Sequence, residues 1–113
     1  MLLHGELQTL LDEVSQGVSK LLGKKLHAAI LFGSYARGDY DEGSDVDIAL
    51  IIDCPRVRIN EYLDGLVDIA CEAGLEYGAV VSFSSIPLEE YRKWLPVLPF
   101  YQNIDREGVR FIA

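Results

Sequence analysis

Apolar residues recur at steps of three and four positions in two parts of the chain, a spacing that predicts amphipathic helices. The first pattern consists of Leu3, Leu7, Leu10, Leu11, Val14, Val18, Leu21 and Leu22. Gly23 is placed to end that helix. The second pattern runs from about Val57 to Tyr77 and consists of Ile59, Leu63, Leu66, Val67, Ala70 and Ala73. Gly78 is placed to end the second helix.

Short, continuous apolar runs predict strands between these helices. The runs are LHAAILF at Leu26–Phe32, SDVDIALII at Ser44–Ile52 and AVVSFSSI at Ala79–Ile86. All three lack the three- and four-residue period, so we expect a sheet with buried strands.

The last third of the chain predicts two further short helices. SIPLEEYRKWL indicates a helix start, with Ser85 as a possible N-cap and Pro87 in the first turn. Pro96 and Pro99 interrupt the chain after this helix, and FYQNIDREGV predicts a last helix with Gly108 near its C-terminus. The order is α-β-β-α-β-α-α, which predicts an α/β or α+β fold with a sheet of at least three strands and helices packed against it.

Composition narrows the possible functions. The 113 residues are expected to form one domain over 1–113, and with half of them hydrophobic they can bury a core without disulfides. The formal charge of −8 argues against direct nucleic-acid binding, but it does not exclude a nucleotide bound as its metal complex. Cys54 and Cys71 have no metal-ligand spacing and are expected to be ordinary thiols. No apolar stretch approaches a membrane span, and the acidic start does not resemble a secretion signal, so we expect a cytoplasmic protein.

Two aspartates interrupt the predicted apolar strand SDVDIALII. Asp45 and Asp47 are two positions apart, so in a strand they project from one face, roughly 7 Å apart along the chain. Paired carboxylates at such a position need a positive partner. Magnesium takes oxygen ligands and keeps positions open for substrate phosphates. We therefore expect Asp45 and Asp47 to be metal ligands and catalytic residues.

The end of the preceding strand offers a phosphate-binding turn. Gly33 allows a close approach of the backbone, and the N–H groups and the Ser34 hydroxyl can donate hydrogen bonds to phosphate oxygens. A nucleoside triphosphate could bridge this turn and the aspartate pair. Arg37 either faces that triphosphate or pairs with Asp39 or Asp41 to fix the loop.

Ser44 is a further nucleotide-site candidate. It is expected to hydrogen-bond either the carboxylate of the adjacent aspartate or the loop backbone. An ordinary turn residue is the alternative, since serine is common in turns. The candidate nucleotide-binding residues are therefore Gly33, Ser34, Arg37 and Ser44.

Together these residues resemble a known motif. Gly33-Ser34, ten residues, then Asp45-x-Asp47 is similar to the signature of the DNA polymerase β-like nucleotidyltransferase superfamily. The string GSYARGDYDEGSDVDIAL most resembles the minimal nucleotidyltransferases (MNT proteins), small prokaryotic proteins usually paired with a HEPN-domain protein. The ending PFYQNIDREGVRFI also resembles the tail of that group.

The resemblance implies a polymerase-β-like palm with a small mixed sheet, Mg²⁺, and ATP as the substrate. It also implies transfer of a nucleoside monophosphate to a hydroxyl. In the MNT group it further implies an antitoxin that forms a hetero-oligomer with a HEPN ribonuclease toxin and neutralises it, in some systems by adenylylating a tyrosine.

One expected feature of the superfamily is missing from the sequence. A third acidic residue normally lies on a later strand, where it bridges to the catalytic metal. The corresponding strand here, AVVSFSS, contains no Asp or Glu. The nearest acids are Glu72 and Glu76 upstream and Glu89 and Glu90 downstream.

Three functions are compatible with these residues. The chain is an adenylyltransferase that modifies its HEPN partner, a weak or inactive nucleotide-binding module that neutralises the partner by complex formation, or a transferase acting on a small molecule. About 27 residues follow Ile86, too few for an acceptor-binding domain, which counts against the third function. The expected partner surfaces are the exposed part of Tyr91–Tyr101 and the loop Tyr35–Gly43.

Overall fold

The computed structural model describes residue 2 and residues 4–112. Leu3, which the apolar pattern assigned to the first helix, lies outside the described residues. Within them the sheet has four strands: β1 (Leu26–Phe32), β2 (Val46–Ile52), β3 (Val81–Pro87) and β4 (Val109–Ile112). The strand order is β3-β2-β1-β4. β1 pairs antiparallel with both β2 and β4, whereas β2 and β3 are parallel, so the sheet is mixed as expected.

The helices alternate with these strands. They are α1 (His4–Leu22), α2 (Ser34–Arg37), α3 (Arg56–Ile59), α4 (Leu63–Tyr77), α5 (Leu88–Trp94) and α6 (Pro99–Glu107). Short 3₁₀ turns follow α1 and α3. Gly78 ends α4 in the left-handed conformation, as the sequence predicted. Among the described residues, no helix is long and apolar enough to cross a membrane.

Helices cover both faces of the central strand β2, which explains its nearly continuous apolar sequence. Ile48 and Leu50 belong to the core that the sheet forms with α1 and α4. Ala49 and Ile51 lie on the opposite face, in a second core with α5 and α6. Because side chains alternate along a strand, Asp47 lies on the same face as Ala49, beneath α6.

The predicted helix from Val57 to Tyr77 is divided in the structure. α3 ends at Ile59, a 3₁₀ turn covers Asn60–Tyr62, and α4 begins at Leu63. The apolar period continues through this division, since Ile59 and Leu66 are both buried. The apolar pattern therefore predicted one helix, whereas the structure has two helices joined by a tighter 3₁₀ turn.

The prediction of Ser85 as a helix N-cap is wrong. β3 stays paired with β2 as far as Pro87, opposite Ile52, and Ser85 lies within this strand. α5 begins only at Leu88, so Pro87 precedes the helix rather than lying in its first turn. Parallel pairing has extended a strand through a segment whose local sequence favours a helix start.

The chain end also differs from the prediction. The last helix ends at Glu107, and the strand β4, which was not predicted, comes after Gly108. A Cβ atom at Gly108 would overlap Ile104 O and Ile30 Cγ2, so only glycine lets the chain pass this close to β1. A four-residue strand gives too short a pattern to be recognised from sequence.

Candidate nucleotide and metal site

A one-turn helix between two glycines follows β1. Gly33 has φ 74° and ψ −156°, a conformation open almost only to glycine. Its carbonyl oxygen accepts hydrogen bonds from the N–H groups of Ala36 and Arg37, each at 3.1 Å. Gly38 ends α2 with φ 86°, and its N–H donates to Ser34 O at 2.9 Å. These constraints fix the positions of Ser34 and Arg37 relative to the end of β1.

Gly33 lies directly against the carboxylate of Asp47. A Cβ atom at Gly33 would overlap Asp47 Oδ2 and would lie 3.3 Å from Asp47 Cγ. Asp47 reaches this position because it is paired with Phe32, the last residue of β1. The motif glycine is therefore required by a carboxylate, a reason additional to the phosphate approach that the sequence suggested.

Four of the six predicted residues line one cleft of about 370 Å³. One wall consists of Gly33, Ser34, Arg37 and Asp47, together with Phe32. α6 supplies the other wall with Phe100, Asn103, Ile104 and Glu107. Sequence reasoning did not assign any of these α6 residues to the site, because no local pattern reports a tertiary contact between segments so far apart.

Asp45 and Ser44 line a different, larger cleft of about 640 Å³. This cleft lies between the loop that precedes β2, the second half of α4 and the residues leading into β3. Asp45 is exposed and precedes β2, which begins at Val46. The structure therefore separates the six candidates into two clefts, which both adjoin the start of β2.

Ser44 has hydrogen bonds within its own loop. Its hydroxyl accepts from Asp41 N at 2.9 Å and lies 3.3 Å from Asp41 Oδ1, to which it donates. Its own N–H donates to Asp41 O at 3.1 Å. Of the two roles expected for Ser44, the structure shows the hydrogen bond to the loop backbone.

The electrostatics of the aspartate pair favour a cation. Burial raises the pKa of Asp47 above its ordinary value, and the negative charge of Asp45 raises it further. Arg37 acts in the opposite direction with a smaller effect. A cation beside Asp47 would therefore favour its ionised form, and carboxylate oxygens are suitable ligands for Mg²⁺.

No carboxylate lies beside Asp47 on the neighbouring strand β3. In the parallel register of β2 and β3, Asp47 is paired with Ser82. Glu90 is at the opposite end of the sheet, where it binds Arg56, and Glu72 lies in a groove between α1 and α4. Among the described residues, no group of three or more His, Cys, Asp or Glu side chains could hold a metal ion.

Arg37 shows one of its two expected roles, the pairing with Asp39. Its Nε donates to Asp39 Oδ2 at 3.2 Å, and its Nη1 lies 3.8 Å from Glu107 Oε2. The side chain also lines the cleft that contains Asp47. Because Arg37 and Asp39 are largely exposed, the ion pair contributes little stability and can exchange for another anion.

The chain is similar in sequence to known nucleotidyltransferases. The profile of the family described as "Nucleotidyltransferase domain" matches residues 11–101, a range that includes all six candidate residues and Ser82. Two similar proteins come from Methanocaldococcus jannaschii. "Putative protein adenylyltransferase MJ0141" is 37% identical over 78 residues, covering 68% of this chain and 76% of that protein. "Putative protein adenylyltransferase MJ0604" is 36% identical over 90 residues, covering 80% and 81%.

Two solved structures share the fold. A Sulfolobus solfataricus protein described as a "putative nucleotidyltransferase" superposes with a TM-score of 0.56 at 16% identity, covering 94% of this chain and 85% of that one. A mutant of the toxin–antitoxin MntA–HpeT superposes with a TM-score of 0.54 at 15% identity, covering 91% and 69%. At these identities the likeness shows a common fold.

Proposed function

The chain belongs to the nucleotidyltransferase domain family, and on that premise we propose that it transfers AMP from ATP to a hydroxyl group of a protein partner, with Mg²⁺. The observation that carries the proposal is the contact between Gly33 and Asp47. It brings the two halves of the motif together from separate strands, at the edge of a cleft that also contains Ser34 and Arg37.

Each residue has a distinct part in the proposed reaction. Asp45 and Asp47 line adjoining clefts, but their charges interact, and together they would hold the metal ion, which would neutralise the triphosphate and orient it. The N–H groups at the Gly33-Ser34 turn and the Ser34 hydroxyl donate to phosphate oxygens. Arg37 supplies positive charge to the triphosphate once it exchanges Asp39 or Glu107 for a phosphate.

The proposed acceptor is a tyrosine of a HEPN-domain toxin. The curated relatives are named as protein adenylyltransferases, which supports a protein acceptor. The resemblance of the Gly33–Leu50 segment to MNT proteins supports a HEPN partner. In this proposal the two proteins form a hetero-oligomer in the cytoplasm, and adenylylation inactivates the toxin.

Ser82 favours a second candidate function. Without a carboxylate at this position, the described residues offer no third acidic side chain to hold a metal at the attacking hydroxyl. A chain that binds Mg·ATP and the toxin without efficient transfer would still neutralise the toxin by occupying its surface.

Labelled ATP separates the two candidates. The purified chain is incubated with Mg²⁺, the HEPN protein encoded beside it, and ATP labelled at either the α- or the γ-phosphate. Adenylyl transfer labels the HEPN protein from α-labelled ATP only, and the Asp45→Asn/Asp47→Asn variant should abolish this label. A stable complex without label supports the binding module. Label from γ-labelled ATP, or neither label nor complex, contradicts the proposal.

A further inference from the structure

α4 is apolar on two faces, and the residues that the structure describes cover only one of them. Leu66 and Ala73 are buried in the core that the sheet forms with α1 and α4. A second set of apolar side chains lies at four-residue intervals along the solvent side of the helix. This α4 stripe consists of Leu63 (45% exposed), Val67 (57%), Cys71, which is also exposed, and Leu75 (86%).

An acidic edge runs beside the α4 stripe. It consists of Asp64, Asp68, Glu72 and Glu76, each one position after a member of the stripe. All four residues are exposed. Among the described residues, no Lys or Arg forms an ion pair with any of them. Glu13 of α1 approaches the same edge, and its hydrogen bond and charge raise the pKa of Glu76.

The acidic edge disfavours a second copy of this chain as the partner. In an antiparallel two-fold pair of α4 helices, the two acidic edges lie on the same side of the contact and repel each other. A helix with an apolar stripe and a basic edge would satisfy both features at once.

We propose that the α4 stripe and its acidic edge form a docking surface for a basic amphipathic helix of a partner protein. The apolar side chains supply the contact area, and the carboxylates select the partner by charge. This surface is distinct from the residues that hold nucleotide in the proposed function, and it does not depend on transfer.

The surface reaches the candidate site. Cys71 and Leu75 line the larger cleft, which also contains Asp45. A helix docked along the α4 stripe therefore ends beside one of the two aspartates. This position suits a partner that presents a group to the site.

A stapled synthetic helix provides a direct probe. The peptide has the length of α4, Leu at every fourth position and Lys beside each Leu. One control peptide has the same composition with the Leu residues scattered around the helix, and another has Glu in place of Lys. Binding to the intact chain is measured by fluorescence anisotropy, and docking is located by the alkylation rate of Cys71, with the half-buried Cys54 as the internal reference.

Variants test the residues individually. We expect Val67→Ser and Leu75→Ser to weaken binding of the probe at least tenfold, and Asp68→Lys to do the same. Val109→Ser, which removes an apolar side chain of β4 that is 51% exposed, should have no effect. Glu89→Lys is the matched control for charge. All of these positions are exposed, so the fold is expected to survive.

The outcomes are decisive in both directions. The proposal is supported if the peptide binds with micromolar affinity and slows Cys71 alkylation severalfold. The stripe and acidic-edge variants must also weaken this binding while the controls leave it unchanged. Equal binding of the scattered peptide, unchanged Cys71 alkylation or absence of binding overturns it. Sedimentation of the free chain completes the test. Self-association that is lost in the Val67→Ser variant would assign the α4 stripe to a second copy of the chain and would overturn the proposal.

Discussion

Asp47 on β2 and Ser82 on β3 are paired residues of adjacent parallel strands, with their side chains on the same face of the sheet. The resemblance to the superfamily leads one to expect a third carboxylate on the strand of Ser82. A hydroxyl there can accept or donate a hydrogen bond, but it brings no negative charge to a divalent cation. The candidate residues for nucleotide binding are therefore present, whereas a third carboxylate for the transfer step is not found beside Asp47.

Ser82→Asp should strengthen metal binding. A third carboxylate beside Asp47 adds charge and an oxygen ligand, and we expect about a tenfold gain in Mg²⁺ affinity, equivalent to about 1.4 kcal/mol. Isothermal titration calorimetry with Mg²⁺ measures this gain. If the chain transfers AMP, the transfer rate should rise as well.

Ser84→Asp is the matched control for this gain. Ser84 is on the same strand and the same face but is paired with Ala49, one step farther from the aspartates. An equal gain in both variants would indicate a nonspecific effect of negative charge and would contradict the assignment of Ser82.

Gly33→Ala should damage the site as well as the fold. The backbone conformation of Gly33 disfavours any side chain, at a cost of about 1–3 kcal/mol. In addition, the new Cβ would overlap Asp47 Oδ2 and displace the carboxylate. We expect a lower free energy of unfolding together with weaker binding of Mg²⁺ and Mg·ATP, measured by denaturant titration and calorimetry.

Gly38→Ala isolates the cost of the backbone conformation from the overlap with Asp47. Gly38 also has a positive φ, but a Cβ there meets no atom within 4 Å. This variant should lose about 1 kcal/mol of stability while its metal affinity stays unchanged. Equal loss of metal binding in both variants would show that the contact with Asp47 is unimportant.

Long apolar patterns were sufficient to predict the framework of the fold. The prediction for β1 agrees with the structure at both ends, and α1 ends before Gly23 as expected. These elements are specified locally. Burial of one face gives a helix its three- and four-residue period, and burial of both faces gives a strand a continuous apolar run. Gly33, Ser34 and Asp47 were likewise predicted as site residues from their spacing, and the structure brings them to one cleft.

Elements that depend on tertiary contacts were not predictable. β4 has only four residues and is specified by pairing with β1. Glu107 and Asn103 reach the site only because α6 packs over the strand ends. Asp45 shares the period-two spacing of Asp47, yet it lines another cleft, since the strand begins after it. The spacing alone therefore did not predict that the two aspartates line different clefts.

Asp47→Asn should stabilise the metal-free protein. The raised pKa of Asp47 shows that its ionised form is disfavoured in the folded chain, first by burial and then by Asp45. Its contribution to stability therefore falls as pH rises from the ordinary carboxyl pKa through the raised one. In EDTA near pH 7 we expect a rise in Tm of a few degrees, and added Mg²⁺ should no longer stabilise the variant.

Thermal unfolding at several pH values tests this expectation. The wild type should lose stability over the acidic range in which Asp47 ionises, and the variant should lose less. A lower Tm for the variant in EDTA would contradict the interpretation, since it would mean that the carboxylate stabilises the fold without a metal.

Two carboxylates of the chain pair with Arg37, at the edge of the cleft that contains Asp47. In the structure its guanidinium is shared between Asp39 at 3.2 Å and Glu107 at 3.8 Å, and all three side chains are at least partly exposed. Such pairs contribute at most about 1 kcal/mol, so Arg37→Gln should change the free energy of unfolding little. If the guanidinium binds the triphosphate, the same variant should weaken Mg·ATP binding about tenfold, because a charge-assisted hydrogen bond is lost.

Glu107→Gln should instead strengthen binding of Mg·ATP a few-fold, since Arg37 no longer has to leave that carboxylate. Titration of ATP at low and high salt measures both effects, which should shrink as salt screens the exposed charges. Glu89→Gln, an exposed carboxylate on α5, serves as the control for net charge. Weaker ATP binding in Glu107→Gln would assign Glu107 a direct part in holding the metal or the nucleotide, and unchanged binding in Arg37→Gln would remove Arg37 from the site.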